Sequence, residues 1–312
     1  MNATSAGRFF FVAAEGAASE MSIWSVDVAT GDPVDVHPIS MTGFSTPPLC
    51  LRWDPVHERL LAILSKTNGD EVLATINPAT GASAAIGTGF ATGGLSSGVC
   101  AFDSVNQRLY LPANLGMTGQ RALFDVDTNT GTLLGAPLIT TGMPVVDTTP
   151  GFVAYDAAGA RVLGIVQLVP STAGKVLVSI DVTTGALTIL GDAIPAGGFS
   201  SGVSAFHQPG RDFYFLANDL ATNTLNSVFG VDANGAVIAD EVLRSDFVGL
   251  VLSSSFLVVV PEPGGVALGI AALAALRLLG YRRRPGGCGE QARIPARSSH
   301  ALRRARSRRS NR

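Results

Sequence analysis

A short phrase returns five times along the first 235 residues, and no other feature limits the fold as strongly. It reads Val26-Asp27-Val28-Ala29-Thr30-Gly31, Ile76-Asn77-Pro78-Ala79-Thr80-Gly81, Val126-Asp127-Thr128-Asn129-Thr130-Gly131, Ile180-Asp181-Val182-Thr183-Thr184-Gly185 and, shortened, Val231-Asp232-Ala233-Asn234-Gly235. Its glycines are 50, 50, 54 and 50 residues apart. A second phrase lies between the copies: Arg52-Trp53-Asp54, Ala101-Phe102-Asp103, Ala154-Tyr155-Asp156 and Ala205-Phe206-His207. Five copies at a period near 50 predict a repeat architecture.

Each period holds four runs of strand character. In the third they cover 99–103, 108–113, 121–127 and 132–139, with β-branched or aromatic residues alternating between turn residues. The Asp-x-x-Thr-Gly phrase is a hairpin turn: the Asp or Asn side chain bonds backbone amides ahead of it, and Gly supplies positive φ. Four strands per repeat of this length predict a β-propeller blade. The composition fits an all-β body, with 36 glycines, 46% hydrophobic and only 15% charged residues. The first repeat opens with its second strand, 8–13, and a spare strand at 247–253 is predicted to pair into it and close the ring. The expected propeller occupies 1–259 with five blades, or six if a further strand or blade precedes Met1.

The end of the chain has a different character. Val260-Pro261-Glu262-Pro263 leads into an apolar run over 264–281, followed by Arg282-Arg283-Arg284. The run is 18 residues, about 27 Å as a helix, enough to cross a bilayer core. The arginines would hold that end in the cytoplasm and leave the body outside. This arrangement resembles the PEP-CTERM sorting signal of Gram-negative bacteria that make exopolysaccharide. The resemblance implies Pro261, Glu262 and Pro263 as recognition residues for a membrane transpeptidase, the exosortase. It also implies Arg282, Arg283 and Arg284 as the basic stop cluster. Two features depart from the pattern: Arg277 lies inside the run, and 28 residues follow the cluster, a basic tail at 285–312 read as disordered. A plain membrane anchor is the competing reading of the same helix. Export calls for a signal peptide, and residues 1–14 hold none, so the start is expected to lie upstream of Met1.

Twelve of the 22 basic residues, but only one of the 24 acids, fall at or after Arg277. Residues 1–276 therefore carry 10 basic and 23 acidic side chains, a net of −13. A body of that sign is a poor nucleic-acid partner.

Several motifs carry chemistry elsewhere and are weighed here against structural roles. Gly94-Leu95-Ser96-Ser97-Gly98 and Gly198-Phe199-Ser200-Ser201-Gly202 match Gly-x-Ser-x-Gly, but a strand follows where a nucleophile elbow needs a helix. They read as inter-blade loops. Asp27, Asp127, Asp181 and Asp232 are one per blade and lack calcium-loop spacing, so they read as turn residues. His37, His57, His207 and His300 share no metal spacing. Arg59, Arg108 and Arg161 lie five residues after Asp54, Asp103 and Asp156, and Arg211 four after His207. A hairpin ion pair within each blade is expected, worth under about 1 kcal/mol if exposed. Cys50 and Cys100 hold similar places in successive repeats; two small buried hydrophobes are the favoured reading and a bridge the other.

What remains is a face. In a propeller the loops joining strands two and three lie on the same side as those joining one blade to the next. The former cover 66–71, 114–120, 171–175 and 218–226 and are rich in Asn, Thr and Gly. Asn68, Asp70, Asn114, Asn218 and Asp219 are the candidate binding residues. The reading is a non-enzymatic exported module for exopolysaccharide or an envelope protein, with no catalytic residue, cofactor or metal. The alternative is a propeller enzyme, a polysaccharide lyase or glycosidase, with Asp147 and Asp192 the only acids on the blade-linking loops.

Overall fold

The computed structural model describes residues 8–15, 20–27, 33–44, 48–95, 99–116, 120–140, 150–220, 227–242 and 257–259. The apolar run with its flanking motifs at 260–284, the tail at 285–312 and the expected closing strand at 247–253 lie outside them.

The described chain is all β. Its strands are β1 (Arg8–Glu15), β2 (Glu20–Asp27), β3 (Pro33–Pro38), β4 (Leu49–Asp54), β5 (Arg59–Ser65), β6 (Glu71–Ile76), β7 (Ser83–Phe90), β8 (Ala101–Asp103), β9 (Arg108–Leu115) and β10 (Gln120–Asp127). They continue with β11 (Leu138–Ile139), β12 (Phe152–Asp156), β13 (Arg161–Gln167), β14 (Lys175–Ile180), β15 (Leu187–Ile194), β16 (Ala196–His207), β17 (Asp212–Asp219), β18 (Ser227–Asp232), β19 (Val237–Val242) and β20 (Leu257–Val259). They form five antiparallel four-stranded sheets, each a blade. Blades 2 to 5 are β4–β7, β8–β11, β12–β15 and β16–β19 in sequence order, whereas blade 1 runs β20-β1-β2-β3. Phe9, Phe10 and Phe11 pair with Val259, Val258 and Leu257, so the innermost strand of blade 1 comes from the far end of the domain.

This closure is the kind expected, but its strand lies at Leu257–Val259, beyond the 247–253 segment assigned to it. The Leu257-Val258-Val259 run, with two β-branched residues, is the better strand former. The third repeat also departs from expectation. Its fourth strand shrinks to Leu138–Ile139, because Gly135 adopts φ 94° and Pro137 follows it; Leu133 keeps one isolated bridge to Val126.

The middle strands are apolar on both faces because each blade is sandwiched by two others. Along β5, Leu60 to Ser65 are all buried. Leu61 and Ile63 pack with Leu111 and Phe124 of blade 3, while Leu60 and Ala62 pack with Phe10 and Ile23 of blade 1. An aromatic pair marks each of four seams: Phe10–Trp53, Phe90–Phe124, Tyr110–Tyr155 and Phe152–Phe215, with centroids 6.2, 6.5, 5.7 and 5.6 Å apart. Each adds about 0.5–1.5 kcal/mol beyond its burial.

The repeated turn does two jobs. Its acid caps the turn: Asp127 Oδ1 accepts from the amides of Asn129 (2.7 Å) and Thr130 (3.0 Å), and Asp181 Oδ1 from Thr183 and Thr184 (2.8 Å each). Its glycine docks on the preceding blade. Gly81, Gly131, Gly185 and Gly235 have φ between 67° and 90°. A Cβ on any of them would strike a carbonyl oxygen of the neighbouring outer strand region: Pro38, Ile86, Ile139 and Leu190 in turn. Gly131→Ala therefore combines a left-handed backbone with a steric clash. It is expected to cost about 2–3 kcal/mol, read as a lowered urea midpoint at unchanged slope.

Inner strands β8, β12, β16, β20 and β4 lie side by side in that order around an axis. Between β4 and β8 the ring is joined covalently, since Cys50 and Cys100 form a disulfide with Cα atoms 5.5 Å apart. This corrects the expectation of two unbridged thiols: Cys50 on β4 and Cys100 just before β8, one position out of step in the repeat, lie side by side within bridging distance. Both are buried. Closing a 50-residue loop stabilises by about 4 kcal/mol in the chain-entropy view. Thiol titration of the unreduced, unfolded chain should find only Cys288 reactive, and all three cysteines after reduction.

Candidate functional site

The two faces of the ring are built differently. On one, the loops after the second strands meet the segments that link blades. Asn114 exchanges backbone hydrogen bonds with Gly93 and Gly94 (2.8 and 2.9 Å), and Leu220 N donates to Pro195 O (3.1 Å). This is the loop face anticipated for binding.

Its candidate residues fall into two groups. Asn68 and Asp70 are absorbed by their own turn: Asn68 Nδ2 donates to Asp70 Oδ2 at 2.8 Å, and Asn68 Oδ1 accepts from the Asp70 amide at 3.1 Å. Asn114 and Asn218 sit against the Gly-Gly pairs 93–94 and 197–198 that lead into the next inner strand, each beside the second glycine. Asn114 Oδ1 accepts from Arg121, a residue the sequence pattern does not single out. Asn218 Oδ1 is buried without a hydrogen-bond partner among the described residues. The backbone of Asp219 pairs with Ala196. These residues belong to blades 2, 3 and 5, so they line a face and do not converge on one point. The second Gly-x-Ser-x-Gly copy, read from sequence as a loop, runs within β16.

The opposite face carries the four inner hairpin turns, and here the expected pair forms in two blades, Arg59–Asp54 and Arg161–Asp156, but not at Asp103 or His207. Asp54 and Asp156 are fully buried, not exposed partners of a surface pair. Asp54 accepts from Arg59 Nε (2.9 Å), the Val56 amide (3.1 Å) and Gln107 Nε2 (3.2 Å), and His57 Nδ1 lies 2.7 Å from it. Gln107 belongs to blade 3. Asp156 accepts from Arg161 Nε (3.1 Å) and from both Nε (3.1 Å) and Nη2 (2.6 Å) of Arg211, which belongs to blade 5. Arg59 and Arg161 each reach on to the next blade, donating to Thr128 O (2.9 Å) and Ala233 O (2.6 Å), equivalent places in the repeated turn. The carboxylates are therefore clasps between blades.

Register explains the rest. His207 pairs with Asp212 as Asp54 pairs with Arg59, so Arg211 is the equivalent of Glu58, Gln107 and Ala160. All four adopt positive φ, from 48° to 56°. Arg108 turns away from Asp103 and bonds Asp125 Oδ2 at 3.1 Å.

Burial alone would raise the Asp54 and Asp156 carboxyls. The hydrogen bonds of His57, Arg59, Gln107 and Val56 on one, and of Arg211, Gly159 and Arg161 on the other, outweigh it and hold both below the ordinary range. Asp125 and Glu71 are shifted the other way, chiefly by burial.

One charged side chain occupies the axis. Arg52, on β4, donates to Leu51 O (2.8 Å), Cys100 O and Val153 O (3.5 Å), equivalent carbonyls of blades 2, 3 and 4. Burial pushes its guanidinium down to about 10. The matching positions on blades 3, 4 and 5 are Ala101, Ala154 and Ala205. Departure from that alanine was the signal in the sequence.

No protein-family model matches the chain, and no curated protein matches it. Among solved structures it is similar to TolB from Acinetobacter baumannii, with 16% identity, 75% of this chain and 53% of that one covered, and a TM-score of 0.49. It is also similar to a putative TolB from Agrobacterium tumefaciens (13%, 71% and 75%, 0.49) and to a periplasmic gluconolactonase from Pseudomonas aeruginosa (13%, 77% and 69%, 0.45). The chain spans about half the length of the Acinetobacter protein.

The clasps set an acid limit. Asp54 and Asp156 have folded values below the unfolded one, so their contribution is complete above about pH 4 and is lost as pH falls through the folded values. Asp125 and Glu71 protonate earlier in the descent, which relieves burial instead of breaking a clasp. Thermal melts from about pH 6 to pH 3 should show a steep loss below pH 4. Asp156→Asn should cost about 1–3 kcal/mol at neutral pH, by weakening the bonds from Arg161, Arg211 and the Gly159 amide, and should flatten that acid limb.

Proposed function

We propose that this chain is an exported, non-enzymatic β-propeller of a bacterial envelope or extracellular matrix, sorted through Pro261-Glu262-Pro263 and binding polysaccharide or protein on its loop face. The buried Cys50–Cys100 disulfide is the observation that carries the export reading, because such bonds form and persist in oxidising compartments outside the cytoplasm. In this reading the apolar run holds the chain in the inner membrane while an exosortase-type transpeptidase acts. The acidic body then leaves for the cell surface. Binding is assigned to the loop face because Asp54 and Asp156 on the other face are spent on inter-blade clasps, whereas Asn218 keeps a buried acceptor without a donor among the described residues. Carboxamides on a rigid scaffold suit hydroxyl-rich ligands or a peptide backbone.

Intact-mass measurement on cell and medium fractions of the native host tests the sorting step. A species ending near Pro261-Glu262-Pro263 with its disulfide intact is expected; a membrane species that keeps Arg282 onward would overturn processing and leave an anchored propeller. For the binding step, the double variant Asn114→Ala, Asn218→Ala should weaken retention on the host's exopolysaccharide by about 10-fold at unchanged Tm. Unchanged retention would remove these residues from the binding face.

A further inference from the structure

The turn face allows three seams to be compared position by position. Between blades 2 and 3, the left-handed residue Gln107 reaches back to Asp54, and Arg59 reaches forward to Thr128 O. Between blades 4 and 5, Arg211 reaches back to Asp156, Arg161 reaches forward to Ala233 O, and Gln208 Nε2 adds a bond to Tyr155 O (2.6 Å). Between blades 3 and 4 both arms are missing. The left-handed residue there is Ala160, which has no group to extend, and Arg108 is committed to Asp125 within its own blade. Asp103 instead bonds its own turn, through the amides of Val105 and Asn106 and the Asn106 side chain, and takes the Tyr155 hydroxyl.

We infer that the ring is assembled from two clasped pairs, blades 2–3 and blades 4–5, and that the seam between blades 3 and 4 is the compliant one of the three, opening first. The disulfide strengthens the same division, since it joins blades 2 and 3. What holds the open seam is the one Tyr155 hydroxyl bond to Asp103, the Tyr110–Tyr155 stack, the apolar core around it and the docking of Gly185 on Ile139 O. A single hydroxyl donor with apolar packing leaves more freedom to slide than the guanidinium and carboxamide arms that fix the other two seams in register. The inference stands whatever the loop face binds.

Hydrogen exchange on the full chain, read peptide by peptide, tests it. The amides of Val105 and Asn106, which Asp103 holds, should exchange at least about 10-fold faster than that of Val56, which the clasped Asp54 holds. Ala160→Arg supplies the missing arm at a φ of 48°, close to the 56° of Arg211. It should slow exchange at 103–108 by about 10-fold and raise Tm by about 3 °C, and adding Asp103→Asn should cancel both. Equal exchange at the two turns in the unaltered protein would overturn the inference. So would a gain from Ala160→Arg that survives Asp103→Asn.

Discussion

Each blade is a thin sheet with apolar side chains on both faces, and neither face is covered until another blade docks on it. That constraint governs everything else in the structure. A single four-stranded unit of this kind has no core of its own, so stability resides in the seams. The seams run from axis to rim in layers of different chemistry. Near the axis Arg52 gathers carbonyls from three inner strands, and the disulfide joins two of them. Further out, paired aromatic rings fill the space between sheets. At the rim the turn glycine lets two backbones approach more closely than any side chain would allow. Ring closure by β20 then covers the free inner edge of β1.

Much of this was legible in the repeats. A period near 50 with four strand-like runs fixes the blade, and the Asp-x-x-Thr-Gly phrase fixes its outer hairpin, because both depend on local rules of turn chemistry and alternation. Relations between blades were not legible in the same way. The Asp54–Arg59 spacing looks like a surface hairpin pair, since nothing local tells that the next blade will bury the carboxylate and lend it Gln107. Likewise Arg211 resembles Arg161 in sequence, yet the turns are of equal length and Arg211 stands one position earlier in its own, the place of Gln107 and Ala160, where it serves blade 4. The cysteines were visible as near-equivalents, but their bridging depends on the curvature that brings β4 beside β8. The closing strand was misplaced for a related reason: a strand that pairs only with a segment some 250 residues away has no local turn to mark it.

Arg52 illustrates what a departure from the repeat can reveal. Innermost strands each have one edge without a strand partner, and their carbonyls face the axis. Three alanines at one level leave those carbonyls unserved by side chains of their own blades. A single guanidinium on blade 2 offers donors to two of them and to the Leu51 carbonyl beside it, which converts a burial cost into an axial brace. The lowered affinity of Arg52 for its proton reports that cost, and the carbonyl oxygens are what it is exchanged against.

The same division of labour bears on function. On one face Asp54, Arg59, Gln107, Asp156, Arg161 and Arg211 are spent on holding neighbouring blades, and such groups cannot be redirected to a ligand without loosening a seam. On the loop face, among the described residues, linker and loop meet through backbone hydrogen bonds, with carboxamides laid against glycines. A ring built this way can change what it binds through its 2–3 loops while the Asp–Arg clasps keep the blades in register. That is the physical basis for looking for a ligand on the loop face and for compliance at the one compared seam whose clasp arms are absent.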